Sequence, residues 1–210
     1  MSKRVSADHF VLGVLDLEQG IDLVEQKTGV RANFGGRHPG RGTHNALLSL
    51  GGRQYLEIIA RDPQQPQATP LMFAGLEGLK EPRFVSWAVA VDNIETVRQR
   101  AIAAGCKVVG PTEGSRDRPD GKLLKWKTLT VIEPAIDLLP FFIAWDRETL
   151  HPAQDSPAGC TLLSFEIQHT EPDRPRELLA KVGVDAIVVP GPIVKLSARL
   201  QTPKGELSLG

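Results

Sequence analysis

Apolar and polar positions alternate along three stretches of the chain, and each stretch opens a similar succession of elements. The stretches start at Asp8, Phe84 and Thr161, and in each a strand pattern is followed by an acidic turn and a helical pattern that ends near a glycine. Short strand patterns separated by glycine turns follow each predicted helix. The sequence therefore predicts an α+β fold built from a β-α-β-β-β unit that is used three times.

Two proline-containing segments, about 62–82 and 146–159, separate these units. We expect the first unit at residues 5–62, the second at 83–146 and a third β-α-β-β-β-like unit at 160–210.

Composition excludes some classes of partner. The chain has 25 Lys and Arg against 25 Asp and Glu, so it lacks the basic excess of a protein that binds nucleic acid through phosphates. Its most apolar stretch, 138–145, is far shorter than the ~20 residues of a membrane helix. Cys106 and Cys160 each lie beside a glycine and an apolar run, which indicates buried, reduced thiols. We predict a cytoplasmic protein without nucleic-acid or membrane partners.

Two polar residues interrupt strand patterns that are otherwise apolar. His9 lies on the first predicted strand and Glu57 on the last strand of the first unit. A buried histidine and glutamate are costly unless they are paired or bound to something. Three interpretations are open: a structural hydrogen bond between them, a metal-binding pair, or a general acid/base pair.

The segment 26–56 carries positive charge that the neutral total conceals. It holds no Asp or Glu, two histidines and five cations, which are Lys27, Arg31, Arg37, Arg41 and Arg53. The glycine-rich part of this segment, 35–42, places two guanidinium groups on flexible backbone, which suits a carboxylate or a phosphate. The alternative is an ordinary solvated loop.

Repeated β-α-β-β-β units with a histidine in the first strand and a glutamate in the fourth resemble the vicinal oxygen chelate superfamily. The stretches 42–50, 55–59, 118–121 and 139–145 are similar to its glyoxalase-like branch. The resemblance covers residues 5–150 well and the remainder weakly. It implies that the first two units form one domain, 5–150, whose mixed sheets build an open cup around a divalent metal, either Zn, Ni, Mn, Fe or Mg.

The resemblance assigns only half of the expected metal ligands. His9 and Glu57 match the ligand positions of the first unit, whereas the second unit has Ser86 or Trp87, and Pro140, at the corresponding positions. A catalytic metal normally has three protein ligands. His44, or else His38, is the candidate for the third.

Other side chains are candidates for holding a ligand in the cup. The tryptophans either line an apolar pocket or belong to the core. We also expect the segment 116–118 to close the second side of the cup. The predicted ligand-binding residues are Arg37, His38, Arg41, Asn45, Trp87, Arg118 and Trp126. His151 and His169 have no partner pattern and are predicted to be structural or exposed.

The leading hypothesis is a glyoxalase-like protein that acts on a small anionic metabolite by lyase- or isomerase-type chemistry, with His9 and Glu57 as the catalytic residues. Whether the chain is an enzyme stays open, and a metal-dependent lyase, isomerase or dioxygenase-like activity is the enzymatic form. The alternative is a non-catalytic protein of the same fold that binds or sequesters a small molecule. The third unit is expected to cover an edge of the main sheet or to pair across a homodimer interface.

Overall fold

The structure, a computed structural model, describes residues 7–68, 75–117, 121 and 123–210. It confirms three successive β-α-β-β-β units. The first comprises β1 (Ala7–Gly13), α1 (Leu17–Thr28), β2 (Asn33–His38), β3 (Thr43–Ser49) and β4 (Tyr55–Arg61). The second comprises β5 (Arg83–Ala90), α2 (Ile94–Ala103), β6 (Lys107–Asp117), β7 (Leu123–Ile132) and β8 (Phe141–Trp145). The third comprises β9 (Thr161–His169), α3 (Asp173–Val182), β10 (Ile187–Pro190), β11 (Lys195–Thr202) and β12 (Gly205–Leu209).

The first helix shows why these elements form where they do. Asp16 caps α1, because its carboxylate accepts the Gln19 backbone N–H at 3.0 Å. Ile21 and Val24 are buried on one face of the helix. Gly29 then ends it with a φ of 81°, a left-handed conformation that glycine adopts without strain. The helical pattern in the sequence is thus confirmed.

The first two units share one eight-stranded sheet in the order β2-β3-β4-β1-β5-β8-β7-β6. In each unit the first strand pairs in parallel with the fourth, and β1 joins β5 in antiparallel orientation. The two edge strands β2 and β6 approach each other, because the sheet curls into a half-barrel. Arg41 spans this approach and donates to the backbone oxygen of Glu113 at 3.4 Å.

Side-chain alternation divides this sheet into two faces. Phe10 and Leu12 belong to the large core that includes residues of α1 and α2, whereas Val11 and Ile59 pack in a separate cluster on the inner face. The inner face of the curled sheet forms the cup. Both cysteines are free and buried, as predicted.

The third unit repeats the order of elements but pairs its strands differently. Its sheet has the order β10-β9-β11-β12, so β9 pairs with the second and third strands of its unit rather than with the fourth. On its inner side, Phe165 packs against Phe10 and Trp87, with ring centroids 4.5 Å and 5.2 Å apart. Phe10 and Trp87 lie on the two central strands of the main sheet. The expected position at an edge of that sheet is therefore wrong, and the third unit covers its outer face.

No helix within the described residues is both long enough and apolar enough to cross a membrane.

Candidate functional site

His9 and Glu57 face each other at the floor of the cup. They lie on the paired parallel strands β1 and β4, where the partner of Glu57 is Val11, two residues after His9. The period of two therefore puts both side chains on the inner face, in the cup that the resemblance implies. His9 Nε2 lies 3.5 Å from Glu57 Oε2, and the two residues are only 2% and 5% exposed.

A β-bulge adds Asp8 to this pair. Ala7 pairs with Val89 and His9 with Ala88, so Asp8 is an extra residue in β1 opposite the continuous strand β5. A bulge turns neighbouring side chains out of strict alternation. Asp8 Oδ1 thereby lies 2.6 Å from His9 Nδ1, whereas regular alternation would have placed the carboxylate on the other face.

Asp8 also contacts Trp145, the last residue of β8, and His151, which lies six residues further along the chain. Its second carboxylate oxygen lies 2.9 Å from His151 Nε2 and accepts the indole N–H of Trp145 at 3.3 Å. Burial alone would raise the pKa of Asp8, but the hydrogen bonds from His151 and His9 outweigh burial and hold it well below its usual value. Asp8 is therefore a buried anion. His151 is 1% exposed and structural, and its backbone leads into the short 3-10 turn Pro152–Gln154.

The second oxygen of Glu57 is held by an amide. Asn45 Nδ2 donates to Glu57 Oε1 at 2.6 Å and lies 3.4 Å from His38 Nε2. An amide N–H requires an acceptor, so Nε2 of His38 carries no proton and its Nδ1 donates to Thr43 Oγ1 at 2.8 Å. Gly35 makes room for this amide, since a Cβ there would lie 2.5 Å from Asn45 Oδ1.

Burial lowers the pKa of His38 to about 4 although Glu57 opposes this, and Arg116 and Arg41 lower it further. Its pKa is below the value of about 6.5 in an unfolded chain, so its stabilising effect is complete above pH 6.5 and is lost as the pH falls toward 4. We expect a loss of about 3 kcal/mol in the free energy of unfolding over this interval.

Urea unfolding of the wild type and of His38→Gln between pH 4 and pH 7.5 measures this loss, because the variant lacks the titrating imidazole. The wild type should lose more stability than the variant as the pH falls. Parallel pH profiles for the two proteins would contradict the prediction.

His9 and Glu57 open onto a small cavity of about 50 Å³. Its basic walls are Arg41 and Arg116, and its apolar walls include Phe141 and Trp126. The described residues that line it are His9, His38, Arg41, Asn45, Tyr55, Glu57, Arg116, Trp126, Thr128, Phe141, Ile143 and Trp145. A neighbouring cleft of about 690 Å³ shares the walls Trp126 and Trp145. Among the predicted residues, His38, Arg41, Asn45 and Trp126 thus come together with His9 and Glu57.

Three other predicted residues lie elsewhere. Arg37 and His44 are paired across β2 and β3. They alternate with His38 and Asn45, so they point to the opposite face of the sheet. Arg37 forms an ion pair with Asp62 there. Trp87 is fully buried in the core and donates to the Leu138 carbonyl at 2.8 Å. Arg118 lies outside the described residues.

Two residues that hold His9 in place were not predicted as part of the site: Asp8 and His151. Trp145, a candidate for lining a pocket, does line the cavity. The position of Asp8 next to His9 pointed to a role in the site, but regular alternation along a strand would turn its carboxylate to the opposite face. His151 had no such signal, because 143 residues separate it from Asp8.

The donor set does not fit a resident divalent metal. His9 and Glu57 offer two protein ligands, where three are usual. Among the described residues, no group of three or more His, Cys, Asp and Glu side chains is arranged to hold a metal ion. Two arginines line the same small cavity and would repel a cation.

Comparisons with known proteins agree with this architecture. The model of the glyoxalase-like domain family matches residues 7–183. A hypothetical protein from Staphylococcus aureus shares 16% identity, with 91% of this chain and 88% of that chain covered and a TM-score of 0.71. A hypothetical protein from Bacillus halodurans C-125 shares 16%, with 70% and 99% covered and a TM-score of 0.51.

Methylmalonyl-CoA epimerase from Mycobacterium tuberculosis shares 17% identity, with 69% of this chain and 91% of that chain covered and a TM-score of 0.48. The comparison with curated proteins gave no match. At such identities the likeness between structures concerns the fold. The family model spans most of the chain, and the resemblance to the glyoxalase-like branch seen in the sequence is confirmed: this chain belongs to the glyoxalase-like domain family.

Proposed function

We propose that this chain is an enzyme of lyase or isomerase type that moves a proton on a small anionic substrate, with Glu57 and His9 as its acid/base pair. One observation carries the proposal. The two side chains form a buried pair that opens onto a cavity, and the other charged walls of that cavity are Arg41 and Arg116. Paired titratable groups in a cavity are typical of acid/base sites.

The arginines and the acid/base pair have complementary tasks in this scheme. Arg41 and Arg116 bind the substrate carboxylate and stabilise the negative charge that develops on an oxygen when a proton leaves the neighbouring carbon. Glu57 takes that proton, so the C–H bond breaks while an O–H bond forms on its carboxylate. His9 or Glu57 then returns a proton to the substrate.

Cavity size restricts the substrate. A volume of about 50 Å³ accepts the reacting end of a molecule and little more, since one water occupies about 30 Å³ in the liquid. A longer substrate would place its remainder in the neighbouring cleft, past Trp126 and Trp145. These considerations favour small 2-oxo and 3-oxo carboxylates, whose reacting C–H lies beside a carbonyl group.

The test is proton exchange in D₂O. A panel of small 2-oxo and 3-oxo carboxylates is incubated with the protein, and ¹H NMR follows the loss of the C–H signal next to the carbonyl group. We expect exchange of at least one carboxylate above the rate without protein, and no exchange of the corresponding methyl ester. The absence of exchange across the panel, or equal exchange of acid and ester, would overturn the proposal.

Arg41→Gln and Arg116→Gln should each raise KM for the exchanging carboxylate, by about 10-fold to 100-fold, because each removes one charged hydrogen bond. Arg98→Gln is the matched control, since Arg98 is a surface arginine that pairs with Glu95. It should leave KM unchanged. If KM rose equally in all three variants, Arg41 and Arg116 would have no specific role in binding the substrate carboxylate.

A non-catalytic binding protein is the second candidate, and one observation favours it. Both His9 and Glu57 are already held by partners within the chain, Asp8 and Asn45, as in a purely structural pair. Binding of carboxylates without any proton exchange would support this candidate. A homodimer and a cytoplasmic location remain predictions.

A further inference from the structure

We propose that Asp8 is the positioning residue of this site: it keeps a proton on Nδ1 of His9, so that only Nε2 exchanges protons with Glu57 and the substrate. The catalytic meaning of this inference rests on the proposed function, whereas the position of the proton does not.

The bulge in β1 is the first support. It turns Asp8 and His9, which are adjacent in sequence, toward each other inside the protein, with 2.6 Å between Oδ1 and Nδ1. Both residues are 2% exposed, so water cannot replace this contact. A buried carboxylate is costly unless donors surround it. A bulge that only relieved backbone strain would not need a carboxylate at this position.

Both groups that contact Oδ2 of Asp8 are hydrogen-bond donors. Trp145 can only donate through its indole N–H, and it does so to Oδ2. His151 accepts the Ala153 backbone N–H at Nδ1, 3.2 Å away, so its own proton lies on Nε2 and is donated to the same Oδ2. Asp8 Oδ2 is thus an acceptor from two donors.

The state of Oδ1 follows from the charge of Asp8. The N–H donors of Trp145 and His151 at Oδ2 favour the ionised form of the carboxyl, so Asp8 carries no proton to donate at neutral pH. Both oxygens are then acceptors. Nδ1 of His9 must therefore be a donor, whether the ring is neutral or charged.

Two aromatic rings pack against the imidazole of His9. Tyr55 stacks on the ring at 4.5 Å and Phe141 meets it edge-on at 5.3 Å. Burial, Asp8 and Glu57 raise the pKa of Tyr55 well above 10, so it stays neutral. The other titratable and charged groups near the ring are Glu57 at Nε2 and His38, Arg41 and Arg116 in the cavity wall. The mobile proton of the site is therefore confined to the 3.5 Å gap between His9 Nε2 and Glu57 Oε2.

Asp8→Asn makes a sharp test, because an amide has one acceptor and one donor end. The two donors at Oδ2 claim the amide oxygen, which turns the NH₂ group toward His9. Nδ1 must then accept, and the proton of the neutral ring moves to Nε2. Long-range ¹H–¹⁵N NMR of histidine-labelled protein distinguishes the two forms, and the signals of His9 are assigned by their absence in His9→Gln.

We expect a protonated Nδ1 in the wild type, an unprotonated Nδ1 in Asp8→Asn, and a protonated Nδ1 in Asp22→Asn, which alters a surface carboxylate that pairs with Arg31. An unprotonated Nδ1 in the wild type overturns the inference, and this measurement needs no variant to fold. An unchanged tautomer in a folded Asp8→Asn overturns it as well.

Kinetics separate this inference from the proposed function. If a carboxylate exchanges, Asp8→Asn should lower kcat about 10-fold to 100-fold with little change in KM, because the substrate contacts remain. A tautomer switch in a protein that exchanges no carboxylate would support the role of Asp8 in placing the proton and overturn the enzymatic proposal. Proton exchange with an unchanged tautomer would support the enzymatic proposal and overturn the role of Asp8.

Discussion

Glu57→Gln is expected to lower the rate of proton exchange about 10²-fold to 10⁴-fold, the range that general acid/base groups contribute. Gln has nearly the shape of Glu but cannot take a proton at neutral pH. Its oxygen can still accept from Asn45, and its NH₂ group can donate to His9 Nε2. The fold and the binding of the carboxylate should therefore persist while exchange is lost. Initial rates by ¹H NMR and ligand titration measure the two properties separately.

The control for this change is Glu25→Gln, which alters an exposed carboxylate that pairs with Arg31 on the outside of α1. It should exchange at the wild-type rate. If Glu57→Gln retained more than a tenth of the wild-type rate with normal binding, Glu57 would not be the proton acceptor. Loss of binding in step with exchange would instead give Glu57 a role in holding the ligand.

Phe165→Ala is expected to destabilise the protein by about 3 kcal/mol, which lowers the melting temperature by about 6–12 °C in a chain of this size. Phe165 is partly buried, and its ring packs against Phe10 and Trp87, between the third unit and the two central strands of the main sheet. Its removal leaves a cavity beside the fully buried Trp87. Urea unfolding and calorimetry measure the loss.

Leu163→Ala is the matched control, because Leu163 lies on the same strand and is 44% exposed. The truncation there should cost less than about 1 kcal/mol, since exposed substitutions have small effects. Equal losses for the two variants would mean that the third unit does not depend on this contact. The comparison tests directly whether the third unit is packed against the main sheet in solution.

Local sequence patterns predicted much of the fold and part of the site. The spacing of Ile21 and Val24, with Gly29 after them, predicted α1, because caps and amphipathic faces depend on neighbours within a few residues. The resemblance placed His9 and Glu57 together in the cup, and the observed pairing of β1 with β4 puts both on its inner face. The period of two separates Asn45, which reaches the cavity, from His44, which does not. Arg41 lies in the turn between β2 and β3 and reaches the cavity from there, which alternation does not predict.

The sequence by itself predicted the three units, their helices and most of their strands, and its resemblance gave the family and placed His9 and Glu57 at the floor of one cup. The units and their elements follow from periodicity and capping, which are local. The loop predicted at 35–42 is wrong in part, because β2 runs from Asn33 to His38. Only the tertiary structure decided that Asp8 turns toward His9, that His151 reaches Asp8, and that the third unit covers the outer face of the main sheet. Each of these depends on which distant strand lies alongside and in what register, and that choice is made by the packing of the whole chain rather than by any one segment.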